Sequence, residues 1–151
     1  MEFRGDHKLN IDAKGRIAIP KKYRDYLQDE HESTLYVSFD TANECLNIYP
    51  QKQWLQFEAK LMSLPNTNPT IRKMQRLMIG RVNEQILDIQ GRINVGPQHI
   101  ERMGFSKEVI LVGQGKRFEL WDKAIWDQDG EESLNAEELQ QLGELLPDFS
   151  F

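Results

Sequence analysis

The chain carries one segment twice. LNIDAKGRIAIP at residues 9–20 is answered by QILDIQGRINVGP at residues 85–97, so that Asp12 matches Asp88, Gly15 matches Gly91 and Arg16 matches Arg92, each 76 positions apart. A second pair of segments follows: Leu46-Asn47-Ile48-Tyr49 with Trp54 five residues on, and Phe118-Glu119-Leu120-Trp121 with Trp126 five residues on. A duplication at this period restricts the fold to two similar units in one chain. Each unit has too few strands and too little apolar area to be stable alone. The units are therefore expected to pair about a pseudo-two-fold axis and to share one core.

The repeated D-x-x-G-R segment reads as a turn between two short strands. Apolar and polar residues alternate in Lys8-Leu9-Asn10-Ile11 and again in Arg16-Ile17-Ala18-Ile19, which gives a hairpin. Asp12 is placed to accept backbone N–H groups just ahead of it, and Gly15 to take the positive φ that closes the loop. An Asp-to-Arg pair fixing the loop is the plain structural reading, and surface pairs of this kind are common and weak. Recurrence of all three residues strengthens a structural role without separating it from a functional one.

The net charge of −5 argues against nucleic acid, but its distribution reverses that. Asp127, Asp129, Glu131, Glu132, Glu137, Glu138, Glu144 and Asp148 follow Ala124 with no Lys or Arg among them, which leaves a net +3 on the rest of the chain. Arg4, Lys8, Lys14, Arg16, Lys21, Lys22 and Arg24 stand within the first 28 residues, a local basic surface of the sort that phosphate binding requires. No apolar run is long enough to span a bilayer and no charged-then-apolar leader opens the chain, so the expectation is a cytoplasmic protein with no membrane partner. Cys45 is the lone cysteine; it makes an internal disulfide or a cysteine metal cluster impossible and reads as a small packed residue.

The order of elements also repeats. Pro20 starts a helix to about Leu27, and residues 35–39 and 45–49 form a strand pair. Pro50 opens a longer helix with Trp54, Leu55, Phe57, Leu61, Met62 and Leu64 mostly on one side. A connecting helix from Thr70 to about Gly80 carries Arg72, Lys73 and Arg76; with Arg81 these form a solvated face by default, or an RNA-binding strip, or a subunit contact. In the second copy a hairpin, a short helix after Pro97, strands at 108–113 and 118–122 and a helix around Trp126 follow. Residues 135–146 read as a final acidic, leucine-bearing helix docked on a neighbour.

Enzyme chemistry finds little support. His7, His31 and His99 have no spacing with Asp, Glu or Cys that suggests a metal, and read as ordinary surface histidines. Gly113-Gln114-Gly115 lacks the residues that complete a phosphate loop and reads as a turn. No serine lies in a nucleophile-elbow context. Neither a metal nor another cofactor is expected.

Phe3-Arg4-Gly5, Asp12-Ala13-Lys14-Gly15-Arg16 with Ile19-Pro20, Tyr23-Arg24, Tyr49-Pro50, Asp88-Ile89-Gln90-Gly91-Arg92, and Leu111-Val112-Gly113-Gln114 through Phe118-Glu119-Leu120-Trp121-Asp122 resemble the MraZ family. The likeness is collinear from Met1 to Trp126. It implies a mixed α+β, β-rich fold: an internally duplicated AbrB-like swapped-hairpin barrel with peripheral helices. Its parts would be a first repeat at 6–53, connecting helices at 54–81, a second repeat at 82–125 and an acidic tail at 126–151. It also implies a ring homo-oligomer that acts as a nucleoid-associated transcriptional repressor of a bacterial division and cell-wall gene cluster, through short promoter-proximal G-rich direct repeats in double-stranded DNA. By the likeness Asp12, Arg16, Asp88 and Arg92 fall on the family's D-x-x-x-R signature.

The first copy is the better DNA reader, because Lys14 and Lys21-Lys22 surround it. In the second, Gln90 replaces Lys14 and Gln98-His99 replaces Lys22-Tyr23. Arg16 is thus assigned to bases and Lys14, Lys8, Lys21, Lys22, Arg24 and Arg4 to DNA phosphates, whereas Asp12, Gly15, Asp88, Gly91 and Arg92 structure the turns. An arginine donates two parallel bonds to guanine O6 and N7, which suits G-rich sites. The alternative is a structural or protein-interaction ring without specific DNA recognition; an RNA module is disfavoured because no aromatic stacking pattern accompanies the cations.

Overall fold

The D-x-x-G-R turns divide the strands that flank them rather than joining them. In the computed structural model, which describes residues 2–130 and 133–149, β1 (Asp6–Asn10) precedes the first turn and β2 (Arg16–Ala18) follows it. After the backbone bond from Asp12 N–H to the Arg16 carbonyl, the two strands part. β1 pairs with β7 (Glu108–Gly113), and β2 pairs with β6 (Arg92–Asn94). The second copy mirrors this: β5 (Asn83–Ile86) leaves β6 and pairs with β3 (Thr34–Phe39). The expected hairpins are therefore replaced by strands exchanged between the two halves.

β3 pairs with β4 (Cys45–Pro50), and β7 with β8 (Phe118–Asp122). The result is an antiparallel six-stranded sheet, β1-β7-β8-β4-β3-β5, beside the two-stranded β2–β6 ladder. The order is symmetric about the β8–β4 junction, as a duplicated chain requires. Among the described residues these sheets do not close into the expected barrel, since β1 and β5 remain as free edges.

The helices begin where prolines and caps place them. α1 (Lys21–Asp29) follows Pro20 and α2 (Gln51–Met62) follows Pro50. In α3 (Pro69–Met78) the Asn68 side chain accepts the N–H groups of Thr70 and Ile71, and Pro69 occupies the first turn, where its missing N–H costs nothing. α4 (Pro97–Met103) stops at Gly104, a left-handed C-cap. The halves diverge after β4 and β8. Trp54 is buried on α2 and stacks on Tyr36, whereas the expected helix around Trp126 is a single turn, α5 (Lys123–Ile125), running into a π-helical turn (Trp126–Gly130). α6 (Ala136–Leu145) is closed by an Asn135–Glu138 capping box. Of the acidic tail, residues 131, 132, 150 and 151 lie outside the described residues.

One core serves both halves. Ile17, Val37, Leu46 and Ile48 from the first half cluster with Ile93, Val109, Leu111 and Phe118 from the second. Phe3 stacks on Phe118 at 4.2 Å. Cys45 packs with Ile110 and Trp121 in a smaller cluster, and burial raises its thiol pKa far above the usual range; it is a packed residue, as expected.

His99 corrects the surface reading. It is 5% exposed, with its ring stacked on Phe39 at 4.6 Å and its Nε2 without a hydrogen-bond partner among the described residues. The duplication carried the signal, because His99 matches Tyr23, which is also fully buried.

Two outcomes follow from the shared core. Ile93→Ala should cost roughly 2–5 kcal/mol, and denaturant unfolding should remain a single transition rather than split into two repeats. Burial also holds the His99 pKa below its ordinary 6.5, against the opposing pull of the Arg81 and Val37 backbone. The unfolded chain then takes up a proton below pH 6.5 that the folded chain refuses, so stability is lost as pH falls through that value. His99→Phe should lose less melting temperature than the parent between about pH 7 and pH 5.5. Equal losses would show that the imidazole is freely protonated in the fold.

Candidate nucleic-acid interface

Each D-x-x-G-R turn is organised by its own aspartate. Asp12 Oδ1 accepts the N–H groups of Lys14 and Arg16, both at 2.9 Å, while Oδ2 accepts Arg16 Nε at 2.8 Å. Asp88 repeats the pattern with Gln90 and Arg92 N–H at 2.9 Å and Arg92 Nε at 2.9 Å. Gly15 and Gly91 adopt φ of +80° and +73°, which glycine takes without the steric cost of a side chain. The backbone N–H of Arg16 does most to hold the Asp12 carboxyl below its ordinary range, and that of Arg92 does the same for Asp88; partial burial opposes both.

The opposite half seats each turn. The Gly15 carbonyl accepts from Val95 N–H and the Gly91 carbonyl from Ile19 N–H, each at 2.9 Å. Asn94 Nδ2 donates to the Lys14 carbonyl at 3.0 Å, and Arg24 Nη1 to the matching Gln90 carbonyl at 2.6 Å. Gly91 is buried beneath Arg24, and a Cβ there would lie 2.3 Å from Arg24 Cδ. Asn94 was not legible as a site residue; its one sequence signal is that it departs from its counterpart Ala18.

The ladder register sets how the turns present their arginines. Arg16 lies opposite Asn94, Ile17 opposite Ile93, and Ala18 opposite Arg92. Alternation sends Ile17 and Ile93 into the core, where each is 1% exposed, and places Arg16 and Arg92 diagonally on the other face. Each arginine is bound through Nε, and neither makes a further side-chain hydrogen bond among the described residues, so both Nη groups are open to a ligand. Arg16 and Arg92 are 26% and 30% exposed. Their local geometry is the same in both copies.

The remaining predicted cations lie on several different elements. Lys14 is exposed at the tip of the first turn, and Lys8 is exposed on the β1 edge. Lys21 pairs with Asp25 at 2.7 Å, and Lys22 lies 5.3 Å from the centre of the Tyr23 ring. Arg24 is half-buried and committed to the second turn. Arg4 precedes β1, at the end opposite the turn, with its backbone against Gly113 and its carbonyl accepting the Tyr23 hydroxyl.

The family model described as "MraZ protein, putative antitoxin-like" matches the chain twice, over residues 2–77 and 78–144. The chain belongs to the MraZ family. That family consists of transcriptional regulators and not of enzymes. Relatives named Transcriptional regulator MraZ include those of Coxiella burnetii (strain Dugway 5J108-111), 47% identical over 97% of this chain and 95% of the relative, and of Hydrogenovibrio crunogenus, 41% identical over 98% and 97%. That of Escherichia coli O127:H6 is 39% identical over 98% and 99%. The two MraZ matches each contain one D-x-x-G-R turn, so the pseudo-symmetric face draws one arginine from each. Among the described residues no helix is long and apolar enough to cross a membrane.

Carboxyl titration by NMR should give midpoints below 3.8 for both Asp12 and Asp88. Their contribution to stability is present above that ordinary value and is lost as pH falls through the lowered folded values, because the neutral acid accepts the N–H groups more weakly and no longer pairs with the arginine. A midpoint of ordinary value in either copy would mean that its turn is not held by its aspartate.

Proposed function

We propose that this protein is a sequence-specific DNA-binding transcriptional regulator that reads short G-rich direct repeats as a homo-oligomer. The observation that carries the reading is the exposed ladder face, where Arg16 stands with its Nη groups unengaged and its backbone held by Asp12 and the opposite half. An arginine fixed in this way loses little conformational freedom when its guanidinium donates to guanine O6 and N7 in the major groove. Lys14, Lys8, Lys21 and Lys22 supply phosphate contacts around it, with Arg4 further away. Arg24 acts through the second turn, and Arg92 holds that turn in register with the first.

The names of the relatives support regulation of transcription, and the family resemblance supports repression of a division and cell-wall gene cluster. The repeats at 6–53 and 82–125 form the reading unit, the helices at 54–81 connect them, and the tail at 126–151 lies away from DNA. One such face contacts few base pairs. A ring presenting several faces to tandem repeats gains affinity through effective concentration.

Arg16→Ala should weaken binding to a duplex of tandem G-rich repeats by about 1–3 kcal/mol per contact while leaving melting temperature and assembled mass near those of the parent. Arg92→Ala should lower melting temperature or assembled mass more than it lowers intrinsic DNA affinity. Fluorescence anisotropy at several salt concentrations, with a scrambled duplex alongside, reads both. Unchanged operator affinity in a correctly assembled Arg16→Ala variant would overturn the assignment. A fully stable Arg92→Ala assembly unable to bind DNA would make Arg92 a second reader.

A further inference from the structure

A second basic surface lies apart from the arginines of the ladder. Lys73 and Arg76 on α3, Arg81 just after it and Arg102 on α4 are all exposed, and none makes an ion pair among the described residues. Together they line two adjoining hollows of about 460 and 510 Å³ that share Arg81 and Arg102. Half-buried Leu77 is the apolar side chain of one hollow, while Phe39 beneath the other is covered by the His99 ring and by the Arg102 guanidinium, 5.1 Å from its centre. Glu101 is the single acid on its walls.

α6 has the complementary chemistry. Glu137, Glu138 and Glu144 lie on it, Asp148 follows it, and no Lys or Arg occurs after Lys123. Leu139, Leu142 and Leu146 recur at helical spacing, and α6 contains no buried residue; Leu139 is 47% exposed. A ten-residue helix is marginal in water without an apolar face to bury, yet its own chain leaves Leu139 and Leu146 exposed and Leu142 only half-buried. An acidic helix with a leucine stripe thus stands in a chain that also carries a cationic groove with Leu77 in its lining.

We infer that α6 of one copy docks in the α3–α4 groove of a second copy, with its leucines against Leu77 and its glutamates among Arg76, Arg81 and Arg102. The inference rests on the self-association that is part of the proposed function. Helix and groove are different surfaces, so the contact is head-to-tail and repeats from copy to copy.

Charge reversal on the full-length chain tests it. Arg76→Glu with Arg81→Glu makes the groove acidic, and Glu138→Lys with Glu144→Lys makes the helix basic. Each variant alone should raise the dissociation constant of the assembly about tenfold or more, read as lost mass by light scattering. An equal mixture of the two should regain it, since each now offers the surface that the other lacks. Docking within one chain would give no recovery on mixing.

Should a reversal impair folding, Leu77→Cys combined with Leu142→Cys provides a second reading. Oxidation should then yield a ladder of chains linked to one another on a non-reducing denaturing gel. Full mass in both reversed variants, failure of the mixture to recover, or a disulfide formed only within single chains would each overturn the inference. So would a groove reversal that lowers DNA affinity with assembly intact, which would make the groove a phosphate strip. A monomeric parent protein would instead refute the self-association reading itself.

Discussion

Four backbone groups at the β2–β6 ladder carry the organisation of this protein. Val95 N–H on the Gly15 carbonyl and Ile19 N–H on the Gly91 carbonyl bind each turn to the opposite half. Buried backbone groups need partners, and here the partner of each half is the other one. The ladder between the turns has three residues on a side, too short to persist in isolation. It persists because Ile17 and Ile93 on its inner face are part of the common core. Exchange of β1 and β5 across the halves extends the same dependence to the large sheet.

This arrangement fixes the separation of the two turns. Arg16 and Arg92 have the same aspartate partner, the same Nε contact and the same face of one ladder. Their surroundings differ. Asn94 holds the first turn and Arg24 the second, so one cation of the basic N-terminal region is committed to the second turn, whereas Ile100 stands at the matching position beside the first. At these matched positions the two halves differ in local structure. The same divergence appears after β4 and β8, where a long helix anchored by Trp54 faces a short helix and π turn at Trp126.

The sequence alone determined the duplication, the turn chemistry of Asp12-Gly15 and Asp88-Gly91, the sharing of one core and most helix starts. Those features depend on neighbouring residues: a carboxylate reaching N–H groups two and four positions ahead, a glycine at positive φ, a proline opening a helix. Strand pairing was not legible, because alternation in Lys8–Ile11 and Arg16–Ile19 says which face is apolar but not which strand supplies the hydrogen bonds. Tertiary structure alone decided that β1 goes to β7 and β2 to β6, that the sheets stay open at β1 and β5, and that His99 is buried. It also decided the roles of Asn94 and Arg24, whose contacts span 80 and 66 residues, a separation over which spacing in the sequence carries no geometric information.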